Sequence, residues 1–358
     1  MLKVLLLNTA KYLPFLLPVI DYKPVSLVIS LTHRCNCRCL MCNNWKMPSD
    51  NELTAPEVKD IITQAQRLGI DNCVLYGGEP VLRQDLPDII SYAHAAHMQT
   101  EIITNGTLID KEKAETIVNS GVDRITVSLD MCSDDLDAIR GAKDTYQRIL
   151  SGLKELAQLR KGGNLKIKIA SLLMLPTLKN NNLLDVIALA ERLRIRVYIQ
   201  LLDFSLFYFK GVPADTRKQL WINAGYQKEL EMLVNKLAAI KKKNPWLIEN
   251  SLASLYYIKK YFKDPKNKHL PCYLAFSGRV WIDPQGKVYL CQGLPPAGDL
   301  RSDTLENIVH SKEWRETVFR MFKKECPGCS CMYASNVDAH LPFVWKDIAL
   351  RKLSVIHH

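Results

Sequence analysis

Short runs of apolar and β-branched residues alternate along the chain with longer segments in which apolar positions return every three or four residues. The first kind reads as strand, at 25–31 (VSLVISL), 71–76 (DNCVLY), 99–104 (QTEIIT), 123–129 (DRITVSL), 165–174 (LKIKIASLLM) and 195–202 (IRVYIQLL). The second reads as helix, at 54–69, 86–97, 110–120, 146–160 and 181–193. In the first helix Thr54 and Glu57 form a capping box, Val58, Ile61, Ile62, Ala65 and Leu68 make one face, and Gly69 ends it. Six strands alternating with helices predict an α/β fold with a parallel sheet, open or curled toward a barrel. A long helix follows at 216–243, then an aromatic, lysine-rich stretch at 250–270 without a clean period. Beyond Pro271 the short strands RVWID and KVYL flank the turn Pro284-Gln285-Gly286. The expected organisation is an apolar helix at 1–24, a β/α unit at 25–215, a helical connector at 216–270, a small α+β unit at 271–340 and a tail at 341–358.

At 358 residues, 47% hydrophobic and 24% charged, the composition is that of a globular protein with a sizeable core. In residues 1–24, Leu2, Leu5, Leu6, Leu13, Leu16, Leu17 and Ile20 share a helical face, while Asn8, Lys11, Pro14 and Pro18 break the apolar run. That pattern suits neither a cleaved signal peptide nor a membrane span; a helix packed on its own domain is expected, and a membrane-surface contact is the alternative. The formal charge of +11 is dispersed, its densest run being Lys241 to Lys243, so no nucleic-acid partner is expected.

Chemistry enters with the 11 cysteines. Two clusters, Cys35 to Cys42 and Cys326 to Cys331, have CxC and CxxC spacings that suit metal or iron–sulfur ligation in a reducing, cytoplasmic setting better than disulfides. The first cluster follows the first strand. The ends of the next five strands carry Tyr76-Gly77-Gly78-Glu79-Pro80, Thr104-Asn105-Gly106, Ser128-Leu129-Asp130, Ser171 and Gln200. Each alone reads as a turn or a helix cap, but together they fall on the rim where a parallel β/α sheet places its ligands. Four thiolates spaced as Cys35, Cys37, Cys39 and Cys42 converge poorly on one small ion, whereas CxxxCxxC at Cys35, Cys39 and Cys42 leaves one iron of a larger cube without a protein ligand.

CxxxCxxC followed by Gly77-Gly78-Glu79-Pro80 and Ser128-Leu129-Asp130 on six β/α units resembles the radical S-adenosylmethionine (SAM) superfamily over about residues 25 to 205. The resemblance implies a partial (β/α)6 TIM-like barrel and a [4Fe-4S] cluster on Cys35, Cys39 and Cys42 with Cys37 a bystander. It implies SAM chelating the open iron, reductive cleavage to a 5′-deoxyadenosyl radical, and a reducing partner such as flavodoxin or ferredoxin. By the family's pattern Gly77, Gly78, Glu79 and Pro80 meet the SAM amino group, Ser128 and Asp130 lie near its ribose or carboxylate, Asn105 lines the site and Gln200 closes it. Met41 stands where the family has an aromatic residue and is expected to pack against adenine. Ala170 stands where the family often has asparagine, with Ser171 as a substitute contact.

Cys272, Gly286 five positions ahead of Cys291, and Cys326-Pro-Gly-Cys329-Ser-Cys331 resemble the family's SPASM or twitch extensions. That implies one auxiliary [4Fe-4S] cluster on Cys272, Cys291, Cys326 and Cys329, with Cys331 as the alternate; a structural zinc is the competing reading. The expected function is a radical SAM oxidoreductase that oxidises or cross-links a small molecule, sugar derivative or lipid. A peptide-modifying maturase is the alternative, and a non-catalytic metal-binding or electron-transfer protein is the rival from another class.

Overall fold

The computed structural model describes residues 24–160, 164–204, 209–264, 272, 278–323 and 325–326. The apolar helix expected at 1–24, its last residue apart, Cys329, Cys331 and the tail expected at 341–358 lie outside them.

Strand β1 (Ser26–Ser30) leads through α1 (Ala55–Arg67) to β2 (Asn72–Tyr76), and α2 (Leu86–Ala95) leads to β3 (Gln99–Thr104). Then come α3 (Lys111–Asn119), β4 (Arg124–Ser128), α4 (Leu136–Arg140), α5 (Thr145–Leu159) and β5 (Lys166–Leu173). Helices α6 (Leu175–Leu178) and α7 (Asn182–Leu193) precede β6 (Arg196–Leu201). These six strands lie in sequence order, each parallel to the next, as the alternating pattern predicts. The capping box at the start of α1 is present, with the Thr54 side chain accepting from Glu57 N and Glu57 accepting from Thr54 N.

The long helix expected at 216–243 is two. Helix α8 (Ala214–Leu220) ends where Trp221 turns extended, and α9 (Gln227–Lys243) follows a short 3-10 turn that Asn223 caps. Burial is the reason: Ile222 is enclosed and the Trp221 ring packs 5.0 Å from Phe262 and 5.9 Å from Tyr261, which a continuous helix would not permit. Those partners belong to α10 (Leu252–Lys263), a helix within the stretch that showed no clean period.

The C-terminal strands complete the barrel's own sheet. β7 (Arg279–Ile282) pairs parallel with β1, and β8 (Lys287–Tyr289) and β9 (Gly298–Asp299) continue antiparallel, giving the order β6-β5-β4-β3-β2-β1-β7-β8-β9. Helices α11 (Leu305–His310) and α12 (Lys312–Phe322) follow.

Register divides the sheet into two faces, because paired residues of parallel strands point the same way. One carries Ile29, Leu75, Ile102, Val127, Ile169 and Ile199, all enclosed in the large core formed with the helices. The other, the inner face, carries a small apolar cluster of Val28, Val74 and Trp281, with Tyr76, Ile103 and Tyr289 against it. Farther along that face Glu101 accepts from Thr126 Oγ1 at 2.6 Å and pairs with Arg124 at 3.1 Å and Lys168 at 3.6 Å. Burial pushes the Glu101 carboxyl up, but Lys168, Thr126 and Arg124 together hold it below its ordinary value.

Candidate functional site

The cysteine loop is strapped from both sides. On one, Arg38 N donates to Arg140 O at 2.8 Å and Leu40 N to Ile139 O at 2.9 Å, tying it to the end of α4. On the other, Gly78 N donates to Thr32 O at 2.7 Å and Glu79 N to Arg34 O at 2.8 Å. The approach leaves no room for side chains: a Cβ on Gly77 would fall 2.5 Å from Thr32 O, and one on Gly78 would strike the backbone of His33 and Arg34. That close contact, more than a turn, is what Gly-Gly provides here. Glu52 fixes the loop's start, taking bonds from His33 N at 2.7 Å and Thr32 Oγ1 at 2.9 Å.

Cys35, Cys39 and Cys42 are partly exposed, whereas Cys37 is buried. The Cys37 thiol hydrogen-bonds to both Cys35 and Cys39, so its own pKa is pushed well up and theirs are lowered, that of Cys39 to about 7. Burial pushes Cys42 up to about 12. Backbone N–H groups already aim at two of the sulfurs, Cys37 N at 3.4 Å from Cys35 Sγ and Asn44 N at 3.4 Å from Cys42 Sγ, and Asn105 Nδ2 lies 3.8 Å from Cys35 Sγ. Among the described residues no group of three or more His, Cys, Asp or Glu side chains is disposed to hold a metal ion. Three soft sulfur donors on one loop, with N–H donors aimed at two of them, match the ligand chemistry of an iron–sulfur cluster.

Arg140 escaped the sequence reading. Its side chain is buried, donates from Nη2 to Asp130 Oδ2 at 2.5 Å and faces Cys39. Its Nε has no partner. Asp130 Oδ1 in turn accepts from Leu172 N at 2.9 Å, so this carboxylate locks β4, β5 and the guanidinium together. The available signal was one arginine inside the short apolar helix before Gly141, where a Cβ would meet Arg38 O at 2.7 Å.

Glu79 is wholly enclosed. It accepts from Thr104 Oγ1 at 2.7 Å, Asn105 N at 2.7 Å and Val81 N at 3.1 Å, and burial raises its pKa to about 7. Its carboxylate therefore braces the loops after β2 and β3 from within, leaving the neighbouring backbone to face a ligand. Asn105 binds Asn36 Oδ1 through Nδ2 at 2.9 Å and takes Thr107 N at 2.9 Å. Ser128 and Gln200 lie at the mouth on the inner face, in register with Ala170 and Leu172. Pro80 is buried, and so is Met41, which belongs to the large core.

Ser171 needs correction. It shares the parity of Ile167 and Ile169, pairs with Ile199 and is fully buried toward the helices, while Ala170 occupies the inner face. One residue along a strand reverses the face, so Ser171 does not reach the mouth.

Of the auxiliary set, Cys291 is buried with Cys326 near enough to raise its pKa further, and Cys272 and Cys326 pack against the same core. Among the described residues Cys291 and Cys326 are thus neighbours, brought together from separate parts of the C-terminal segment.

Comparison with known proteins agrees with this layout. The Radical SAM superfamily profile matches residues 29–193, and that of an iron-sulfur cluster-binding domain, SPASM, matches 272–332. Fe-coproporphyrin III synthase of Methanosarcina barkeri is 38% identical over 135 residues, which is 37% of this chain and 34% of that protein. The chain thus spans about a third of that relative's length. A PqqA peptide cyclase of Rhizobium meliloti is 25% identical over 324 residues, 89% of this chain and 80% of the relative. The fold matches Streptococcus suis SuiB, solved bound to its precursor peptide SuiA, with a TM-score of 0.66 and 16% identity, covering 91% of this chain and 74% of SuiB.

Proposed function

From a chain that belongs to the radical SAM superfamily and carries a C-terminal SPASM domain, we propose an enzyme that cleaves SAM reductively and uses the product radical to modify a peptide. The observation that carries the reading is the juxtaposition of Cys35, Cys39 and Cys42 with the backbone of Gly77-Gly78 and buried Arg140 at one mouth. A [4Fe-4S] cluster held there with SAM would supply one-electron reductive chemistry at the sulfonium and, from it, hydrogen abstraction.

The chain's own residues hold and orient. Cys35, Cys39 and Cys42 would hold the cluster, and Cys272, Cys291 and Cys326 with Cys329 the auxiliary one. Glu79, by bonding Asn105 N and Thr104 Oγ1, sets the backbone that would receive the SAM amino group. Arg140, neutralised on one side by Asp130, supplies positive charge beside Cys39. The apolar wall of Val28, Val74 and Trp281 keeps water from that face of the mouth. The peptide reading is favoured over a small molecule, sugar derivative or lipid by the likeness to a peptide cyclase along nearly the whole chain. A flavodoxin or ferredoxin as electron donor belongs to the same proposal.

Anaerobic reconstitution followed by dithionite and SAM tests it. 5′-Deoxyadenosine is expected from the wild type and not from a Cys35, Cys39, Cys42 triple alanine variant. Equal amounts from both, or none above a protein-free control, overturn the reading.

A further inference from the structure

A pocket opens where β1, β2, β7 and β8 meet at the mouth, lined by His33, Tyr76, Trp281, Asp283, Tyr289 and Gln292 among others. Three of these residues hold a buried polar atom without a hydrogen-bond partner: His33 Nε2, Trp281 Nε1 and Gln292 Oε1. Each unpaired buried polar atom costs free energy, so three on side chains that line one pocket are hydrogen-bonding capacity that a ligand seated there would satisfy.

The other hydrogen bonds of the same side chains assign their roles. His33 Nδ1 lies 2.8 Å from Pro48 O, which only accepts, so Nδ1 carries the proton and Nε2 of the neutral ring is an acceptor. Gln292 Nε2 donates to Tyr76 Oη at 2.6 Å, leaving Oε1 to accept. Trp281 Nε1–H is a donor, and its ring stands edge-on to Tyr76 with centroids 5.8 Å apart. The open set is two acceptors and one donor beside an aromatic wall.

A primary carboxamide carries two N–H donors and one carbonyl acceptor, the complement of that set. A carboxylate has no donor to offer and would face the nearby Asp283 carboxylate, which Tyr289 Oη, Gln285 N and Lys287 N hold within the hairpin. An aliphatic group would leave all three atoms unpaired. We propose that this pocket is a recognition subsite for an asparagine or glutamine side chain of the peptide substrate. Its place suits that role: Tyr76 adjoins Gly77, Asn44 lies two residues beyond Cys42, and Gln292 follows Cys291, so the subsite lies between the two cysteine regions. That the carboxamide belongs to a substrate rests on the function proposed above; its binding does not.

The test is equilibrium dialysis of the reconstituted holoprotein against radiolabelled N-acetyl-glutamine N-methylamide and its asparagine counterpart. The glutamate and leucine analogues and free glutamine serve as comparisons. Saturable binding of at least one blocked carboxamide is expected, at least tenfold tighter than the acid or leucine probes. Trp281→Phe keeps the aromatic wall and removes only the N–H, and should weaken binding by roughly five- to tenfold. Gln292→Met, at a partly buried position, gives the same readout should the first variant not fold. Equal binding of all blocked probes, no saturable binding, or unchanged affinity in the folded variants overturns the subsite. Free glutamine binding as tightly as the blocked form overturns the peptide source. Selective binding without 5′-deoxyadenosine formation would sink the functional reading and spare the pocket; the reverse would sink the pocket alone.

Discussion

Replacing Glu79 by glutamine separates the energetics of the brace from its geometry. Burial raises the carboxyl from its ordinary 4.5 to about 7 despite three hydrogen bonds to it. The folded-state value lies above the unfolded one, so between these pH values the native chain binds more protons and stability falls as pH rises. Evaluated at pH 5 and pH 8, this one group makes the wild type roughly 2.5 kcal/mol less stable at the higher pH. The group is fully enclosed, so solvent screening takes little from that figure. Glutamine cannot ionise, and its cost is a hydrogen-bond mismatch that does not vary with pH: its NH2 must face either Asn105 N–H or Val81 N–H, a conflict worth about 1–3 kcal/mol. Urea titrations of both proteins at equal cluster loading, followed by tryptophan fluorescence at the two pH values, read the difference directly. Glu79→Gln should gain roughly 2.5 kcal/mol on the wild type between pH 5 and pH 8. The same difference at both pH values would refute a buried carboxyl titrating near neutrality.

Other consequences are simpler to read. Cys37→Ala should retain cluster iron and 5′-deoxyadenosine formation, measured by iron assay and chromatography, because Cys37 is expected as a hydrogen-bonding neighbour and not a ligand; loss of both would shift the ligand register. Gly78→Ala drives a methyl group into the backbone of His33 and Arg34 and should cost about 1–3 kcal/mol in a denaturant titration, together with weakened SAM binding by dialysis. Ser171→Ala removes a buried hydroxyl that has no partner. SAM affinity should be unchanged and stability equal or up to about 1 kcal/mol higher, and a large loss of SAM affinity would return Ser171 to the mouth.

The barrel was legible because its signals are local. Apolar periodicity marked the six strands β1 to β6, and the capping box and Gly69 bounded α1. Where packing overrides local preference the reading failed. Trp221 and Ile222 look helical in sequence, yet burial against Tyr261 and Phe262 breaks the helix there. The aromatic and lysine side chains of α10 hide its period. Nothing local announces that β7 would pair with β1, some 250 residues away in sequence, and make one sheet of two expected units.

The site shows the same division. CxxxCxxC and Gly-Gly could be found because the chemistry fixes their spacing, whereas Arg140 could not, since its value lies in facing Cys39 across the fold. Ser171 was misplaced although its parity with Ile167 and Ile169 was visible in the sequence. The unpartnered atoms of His33, Trp281 and Gln292 come from three separate segments and become one feature only when β7 and β8 close on β1 and β2.

A cluster held by three thiols keeps one iron open to SAM, and its spectrum should respond to SAM binding. Electron paramagnetic resonance of the dithionite-reduced protein, with and without SAM, tests it most directly. The signal should change when SAM is added, and the SAM-responsive component should disappear in the Cys35, Cys39, Cys42 triple alanine variant. A reduced spectrum indifferent to SAM, or one in which the triple variant responds as the wild type does, would contradict it.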